Sequence, residues 1–346
     1  MTSDHESSLS FLSCRIALSA DSGEPLEAIK SFFSSHFAFA DLVSAEPVLA
    51  HVHLTRSPFP SPSSIFDHAD VVFLRLSDSP FFTIPGRRTR LDGEELVRCD
   101  KSGTVIRYRG SEITVHVQES GYGLDLIELI RDLVFKDLER TGVLILHSTV
   151  VARDGRAVLI VGGKGAGKST IALHLATRHG FAFMSGDKAF ISVDRGRPMV
   201  AGWPDYPHIG VGTLRDLPDL APKFGMPLSE MEGLSPSDKV ELSPHKFRQA
   251  IVHTGPGGLL PVDCVLYPRV DPLAASSVSA IGNHRVLLDQ NTETAFGLHS
   301  GWNSFQEPAP VALAPLIEQV SLRPGWRVEG IGVPDLSWFD SGKQKE

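Results

Sequence analysis

Arg156-Ala157-Val158-Leu159-Ile160-Val161-Gly162-Gly163-Lys164-Gly165-Ala166-Gly167-Lys168-Ser169-Thr170 is the stretch whose reading decides the fold. An apolar run with the character of a buried strand breaks into a glycine-rich turn. Ile171-Ala172-Leu173-His174-Leu175-Ala176 then reads as helix. The turn fits the pattern G-x-x-x-x-G-K-S/T, with Gly162 and Gly167 as the fixed glycines and Lys168-Ser169 closing it. Glycines let the backbone fold closely around a polyphosphate so that successive N–H groups point inward, and the helix that follows adds its unsatisfied amides and positive dipole end. Lys168 reaches the β- and γ-phosphates, and the Ser169 hydroxyl takes a place on Mg²⁺. In a chain of this length the four fixed positions recur by chance on the order of once in a hundred sequences, so a nucleoside triphosphate site is expected from Gly162 to Thr170.

Outward from the loop, elements alternate. Leu124 to Arg140 has the period of a helix, with Ile127, Ile130, Leu133, Val134 and Leu138 on one face and charges on the other. Val143 to Leu146 and His147 to Ala152 are strand-like, and a turn at Arg153-Asp154-Gly155 leads into the loop's strand. After the loop, the helix is expected to end at His179-Gly180 on a glycine cap. Phe181 to Met184 is a short apolar strand with Ser185-Gly186-Asp187-Lys188 at its carboxyl end, and Ala189 to Val193 continues as strand. Trp203 to Leu214, rich in proline and glycine, is expected to be loop, and Leu217 to Val240 irregular. Leu260 to Val270 reads as a late buried strand, Val311 to Val320 as helix, and Trp326 to Ile331 as a last strand. This alternation predicts an α/β nucleotide domain over residues 119–334, followed by a tail over 335–346.

Residues 1–118 read differently. After a loose tail to about residue 10, Phe11 to Ser19 is strand-like, Pro25 to Phe37 is an amphipathic helix, and Pro47 to Leu54 and Val71 to Leu76 are strands. Glu95 to Cys99, Thr104 to Arg109 and Ile113 to Val117, separated by Gly103 and Gly110 turns, form antiparallel hairpins. A β-rich α+β domain is expected here, with the boundary at Gly121-Tyr122-Gly123. His51 and His53 share a strand face, and without a third ligand they are expected to face solvent.

A phosphate loop implies nucleotide binding and leaves the reaction open. Asp187 lies at the carboxyl end of a strand directly after the loop's helix, the edge that lies beside the loop in an open α/β sheet. A carboxylate there can hold Mg²⁺ or accept a proton. His147 precedes the loop's strand by one hairpin and can project into the same cleft. The plain alternatives are a turn aspartate and a satisfied strand histidine. Arg269, after the late strand, and His208, in the Pro-Gly loop, are further candidates for phosphate or substrate contact.

At this point the chain resembles a family. His147-Ser148-Thr149-Val150-Val151, the loop Gly162 to Thr170, and Phe183-Met184-Ser185-Gly186-Asp187-Lys188 follow in the order and spacing of the HPr kinase/phosphorylase catalytic domain. Gly210-Val211-Gly212-Thr213-Leu214 and Tyr267-Pro268-Arg269-Val270-Asp271-Pro272 are similar to the HPr-kinase-related proteins of bacterial gene clusters, some of which act in lasso peptide tailoring. The resemblance covers roughly residues 125 to 275. It implies a P-loop kinase fold like phosphoenolpyruvate carboxykinase, and transfer of the γ-phosphoryl group of ATP to a hydroxyl. It implies catalytic roles for Lys168, Asp187 and His147, Mg²⁺ on Ser169 and Asp187, and a homo-oligomer. One departure matters: Gly186 stands where the family carries the first aspartate of a pair, so either Asp187 covers two roles or His147 takes over proton handling. The family's later motif for contacting HPr has no match, so the expected acceptor is a serine of another peptide or protein, or a small-molecule alcohol.

Composition bounds these readings. At 346 residues two domains are the better expectation, and 42% hydrophobic with 21% charged residues describes a folded chain. A net charge of −8 and a pI near 6.0 argue against a nucleic-acid partner held by bulk electrostatics. Cys14, Cys99 and Cys264 are far apart and odd in number, so reduced thiols are expected. The amino-terminal residues lack a signal-peptide layout, and no apolar run approaches the roughly 20 residues of a membrane span. A cytoplasmic protein without a membrane partner is expected. Two rival functions stand beside the kinase. A hydrolase or switch needs an aspartate ending an apolar strand, and Asp263 lies inside its run. A nucleotide-binding regulatory module without transfer is motivated by Gly186.

Overall fold

The computed structural model describes residues 5–42, 47–77, 79–118, 123–226, 228–271, 273–296, 301–308, 311–330, 333 and 335–340. The expected boundary at Gly121-Tyr122, the end of the last strand at Ile331, Pro272, and the extremities 1–4 and 341–346 lie outside these residues. The chain is mixed α/β, with two large mixed sheets and few helices, and it divides into two compact units. Unit 1 is 1–142 with 294–311, and unit 2 is 143–293 with 312–346.

Unit 1 contains β1 (His5–Phe11), β2 (Cys14–Ala20), α1 (Gly23–Phe33), β3 (Ala38–Ala40), β4 (Ala50–Thr55), β5 (Asp70–Arg75), β6 (Ile84–Leu91), β7 (Glu94–Cys99), β8 (Val105–Arg109), β9 (Glu112–His116) and α2 (Leu124–Arg140). The strands form one sheet in the order β3-β1-β2-β4-β9-β8-β7-β6-β5. The β6–β9 meander is antiparallel as its alternation predicts, whereas β4 runs parallel to both β2 and β9. Residues 5–10, expected as tail, instead pair with β2 through a turn at Leu12, because Leu9 and Phe11 have an apolar face to bury. His51 is exposed as expected, and His53 is half-exposed beside Ser19 and Asp21.

α2 has the predicted bounds but belongs to unit 1, so the units divide at residue 142 and not near 118. It packs on α1, β2 and β5. On the charged face Asp125, Glu128, Asp132 and Lys136 are buried as well. Lys136 Nζ lies 2.9 Å from Asp132 and donates to Asn303 Oδ1 at 3.0 Å, and Glu128 pairs with Arg75 at 2.9 Å. Asn303, in segment 301–308, also donates to Asp132 Oδ2 at 2.8 Å, so each of these buried charges has a partner, as burial requires.

Unit 2 contains β10 (Leu144–Arg153), β11 (Arg156–Val161), α3 (Lys168–Arg178), β12 (Ala182–Ser185), β13 (Lys188–Asp194), β14 (Arg197–Gly202), β15 (His208–Gly210), α4 (Val211–Asp216), α5 (Leu220–Lys223), β16 (Lys239–Glu241), α6 (Pro244–Ala250), β17 (Leu260–Arg269), β18 (Ser277–Ile281), α7 (Arg285–Asp289), β19 (Thr292–Glu293), α8 (Ala314–Ser321), β20 (Gly325–Glu329) and α9 (Ser337–Asp340). Two long strands organise it. The first half of β10 pairs with β13 and β19, and from Ser148 onward its second half pairs with β11 and, across a register shift at Val150/Val151, with β12. β17 starts beside β14 and then runs parallel to β11 and β20. The pairings β11-β10-β13-β14-β17-β11 therefore close on themselves.

One apolar cluster lies where α3, α4 and α6 cover Val158, Ile160 and Leu266, and another where α8 packs near Val150, Leu159 and Val265. The Pro-Gly segment expected as loop holds β15 and α4, since Ile209, Val211 and Leu214 join the first cluster and β15 finds a partner in β16, some thirty residues on. The expected tail docks too, with Trp338 and Phe339 buried and Phe339 against Phe181 and Arg156. All three cysteines are buried and unbridged. Among the described residues no helix is long and apolar enough to cross a membrane.

Candidate phosphate-binding site

Every residue from Ala157 to Val161 is buried, because β11 lies between β10 and β17. Its carboxyl end delivers Gly162 to the sheet edge. Val270, just beyond β17, donates its N–H to Ala166 O at 3.3 Å and closes one side of the loop. Gly167 has φ 99°, and a Cβ there would stand 2.1 Å from Val270 Cγ2, so only glycine fits. Gly167 is also the cap residue of α3, and no side chain caps that helix. The first-turn amides of α3 and its dipole are thus directed at the loop without a side-chain acceptor, a donor set that suits a phosphate. α3 is anchored by Ile171, Ala172, Leu173 and Leu175, all buried.

Lys168 begins α3 with only 9% of its surface exposed. Its Nζ donates to Gly162 O at 2.7 Å and Gly163 O at 3.2 Å, and it lies 2.8 Å from His147 Nε2. An ammonium only donates, so Nε2 accepts, and this network assigns the ring proton to Nδ1. Nδ1 faces Asp187 Oδ1 at 3.1 Å and Glu293 Oε1 at 3.5 Å without aligning on either. Burial lowers Lys168 to about 8. Asp187 and Glu293 pull it upward, and Lys188 and Lys239 push it down.

His147 is held there by register. It pairs with Lys188 across β10–β13, its N–H donates to Asn291 O at 2.8 Å, and Ser148 N–H donates to Asp187 O at 3.0 Å. The structure thus brings Lys168, His147 and Asp187 together, as expected. Burial alone would raise the Asp187 carboxyl, but the Lys188 ammonium and the His147 ring outweigh it and hold it well below the usual carboxylate range. Lys188 Nζ lies 2.9 Å from Asp187 Oδ2 and 2.6 Å from Glu293 Oε2. Glu293 was invisible in the sequence, where it sits in Thr292-Glu293-Thr294 without a motif; the short strand β19 brings it beside β10.

The remaining candidates are distributed around this centre. Ser169 and Thr170 are half-buried on the first turn of α3, and the Thr170 hydroxyl is 2.7 Å from that of Thr213 in α4. Lys164 and Gly165 are exposed, and Ala166 is half-buried. Arg269 is exposed at the carboxyl end of β17, next to the loop. His208 pairs with Glu241 in the β15–β16 ladder. Asp263 accepts from Arg156 Nη1 at 3.0 Å near the amino end of β17, the end of these parallel strands remote from the loop. Among the described residues no group of three or more His, Cys, Asp or Glu side chains is arranged to hold a metal by itself. A cavity of about 190 Å³ in unit 1, lined by Phe81, Ile84, Cys99, Ser102 and Leu124 among others, contains Asp125, whose carboxylate already accepts from Ser102 Oγ and Leu126 N–H. No protein-family model matches the chain, and no curated protein matches it.

Proposed function

We propose that the chain is an ATP-dependent kinase that transfers the γ-phosphoryl group to a hydroxyl acceptor, with unit 2 a P-loop kinase domain of the phosphoenolpyruvate-carboxykinase-like type. The observation that carries this reading is the contact chain from the phosphate loop through Lys168 Nζ to His147 Nε2, and from Nδ1 to Asp187. A loop that only joined a strand to a helix would have no use for a lysine this deeply buried, facing a histidine backed by carboxylates.

In this reading the amides from Gly163 to Ser169 hold the phosphates. Lys168 exchanges the carbonyls of Gly162 and Gly163 for phosphate oxygens, and His147 keeps its ammonium in place. Ser169 and Asp187 would hold Mg²⁺, which would offset charge on the phosphate oxygens. Two protein ligands suffice because Mg²⁺ commonly takes one or two carboxylates together with substrate phosphates and water. An Asp187 held ionised suits that role. Phosphoryl transfer is mainly positioning and charge stabilisation, which this set of residues provides. The acceptor is a serine of a peptide or protein, or a small-molecule alcohol, and the setting is the cytoplasm. The hydrolase reading is disfavoured by Asp263, which pairs with Arg156 away from the loop.

The test is to incubate the full chain with Mg·[γ-³²P]ATP alone, with a peptide pool carrying a central serine, and with simple alcohols. Label on an acceptor, lost in Lys168→Ala, is expected. Rapid phosphate release without an acceptor would make the chain a hydrolase. ATP binding without any turnover would make it a regulatory module.

A further inference from the structure

Asp187 stands between two cations. Its Oδ2 lies 2.9 Å from Lys188 Nζ, and the kinase reading asks the same carboxylate to hold Mg²⁺. Lys188 is buried, so moving its ammonium away from a carboxylate is costly, and a divalent cation brought to Asp187 meets a positive charge already there. Glu293 is placed to answer both problems.

β10 runs between β19 and β13, with Glu293 opposite Ile145 and Lys188 opposite His147. Glu293, His147 and Lys188 therefore share one face of the sheet. The segment that carries Glu293 is pinned, since His147 N–H donates to Asn291 O at 2.8 Å and Asn291 Nδ2 donates to Leu287 O at 2.7 Å. Reaching over β10, Glu293 takes Lys188 Nζ with both oxygens, Oε1 at 2.7 Å and Oε2 at 2.6 Å. Its Oε1 also lies 3.5 Å from His147 Nδ1, a buried nitrogen that has Asp187 Oδ1 at 3.1 Å and aligns on neither. Lys188 and His147, which both face Asp187, thus have the same second carboxylate within reach.

We propose that Glu293 is a positioning residue that frees Asp187 for Mg²⁺: it retains Lys188 and the His147 Nδ1–H when Asp187 turns to the metal. The inference rests on the kinase reading. Glu293 and Lys188 together carry no net charge. Removing the carboxylate alone leaves one more positive charge beside Asp187, which opposes the metal. Removing the ammonium alone leaves one more negative charge, which favours it, and removing both restores the balance.

The experiment titrates ATP by calorimetry into the full chain as wild type, Glu293→Gln, Lys188→Met and the double variant Glu293→Gln/Lys188→Met, in EDTA and in excess MgCl₂. The quantity read is the factor by which Mg²⁺ tightens ATP. Glutamine at position 293 keeps an acceptor for the His147 Nδ1–H and removes the charge. Transfer to the serine peptide pool is counted on the same samples.

Glu293→Gln is expected to lower the Mg²⁺ factor at least about tenfold, the worth of one charged hydrogen bond, while ATP in EDTA binds no more weakly than to wild type. Lys188→Met is expected to raise the factor about threefold, and the double variant to return to within about threefold of wild type. A merely structural role would instead weaken ATP in both buffers. The proposal is overturned by a Glu293→Gln factor within about threefold of wild type, or by ATP binding lost in EDTA as well as in MgCl₂. It is also overturned by a double variant as impaired as Glu293→Gln, which would make Glu293 itself a metal ligand. Wild type that binds ATP and labels an acceptor without any gain from Mg²⁺ would overturn the proposal and leave the kinase reading in place. Failure of the wild type to bind ATP would overturn both.

Discussion

Replacing Lys168 by methionine separates what this side chain does for binding from what it does to stability. Its ammonium is buried at the start of α3, and that burial lowers it from an ordinary 10.5 to about 8. The unfolded chain keeps this proton up to about pH 10.5 and the folded chain releases it near 8. The unfolded state therefore holds more protons in between, and stability rises with pH across that window. Below pH 8 the cost applies in full, and at about 1.4 kcal/mol per pH unit it is about 3 kcal/mol. Methionine removes that cost but also removes the bonds to Gly162 O, Gly163 O and His147 Nε2, each contributing about 1 kcal/mol net. The two effects nearly cancel. Lys168→Met is therefore expected to lie within about 1 kcal/mol of wild type at pH 7 while losing ATP binding.

Urea unfolding followed by tryptophan fluorescence checks this, because three of the four tryptophans, Trp203, Trp326 and Trp338, lie in unit 2. Between about pH 7.5 and 9.5 wild type should gain about 2 kcal/mol relative to Lys168→Met. Parallel stability curves for the two proteins, or a variant several kcal/mol less stable at pH 7, would refute the reasoning.

Two further outcomes are expected. Gly167→Ala combines a left-handed backbone with a 2.1 Å approach to Val270, and it should destabilise unit 2 by about 2–5 kcal/mol. Gly163→Ala, whose Cβ would meet nothing within 4 Å, should cost less than about 1 kcal/mol, so equal effects in urea unfolding would contradict the loop geometry. His174, on α3, is lowered to about 4 by burial, with His179 and Arg178 adding to it, and its Nδ1 accepts from Val333 N–H at 3.4 Å. The unfolded histidine takes up its proton near 6.5, so stability should fall as pH drops from 6.5 towards 4. His174→Gln should flatten that limb in urea titrations, and an unchanged limb would show that His174 does not contribute to it.

How far the site could be read in advance follows from the range of the forces involved. The phosphate loop was legible because glycine spacing, a strand's apolar run and a helix start are all encoded within fifteen consecutive residues. His147 and Asp187 could be placed from the order of neighbouring strands, and the structure brings both to Lys168. Glu293 could not. It reaches the site through a two-residue strand pairing with β10, and its stretch carries no local pattern. The fate of α2 shows the same limit: its period fixed its ends, but whether its charged face met water depended on segment 301–308, more than 160 residues away.

The amino-acid sequence by itself determined the phosphate loop, the bounds of α2 and the hairpins of unit 1, because backbone dihedral preferences and side-chain periodicity act over one or two turns of chain. Only the tertiary structure decided where the two units divide, that β10 and β17 each pair with several strands and so close the pairings of unit 2, and which carboxylates stand around Lys168. Those depend on desolvated charges finding partners and apolar faces finding cover across distant segments, and no window of sequence contains both halves of such a contact.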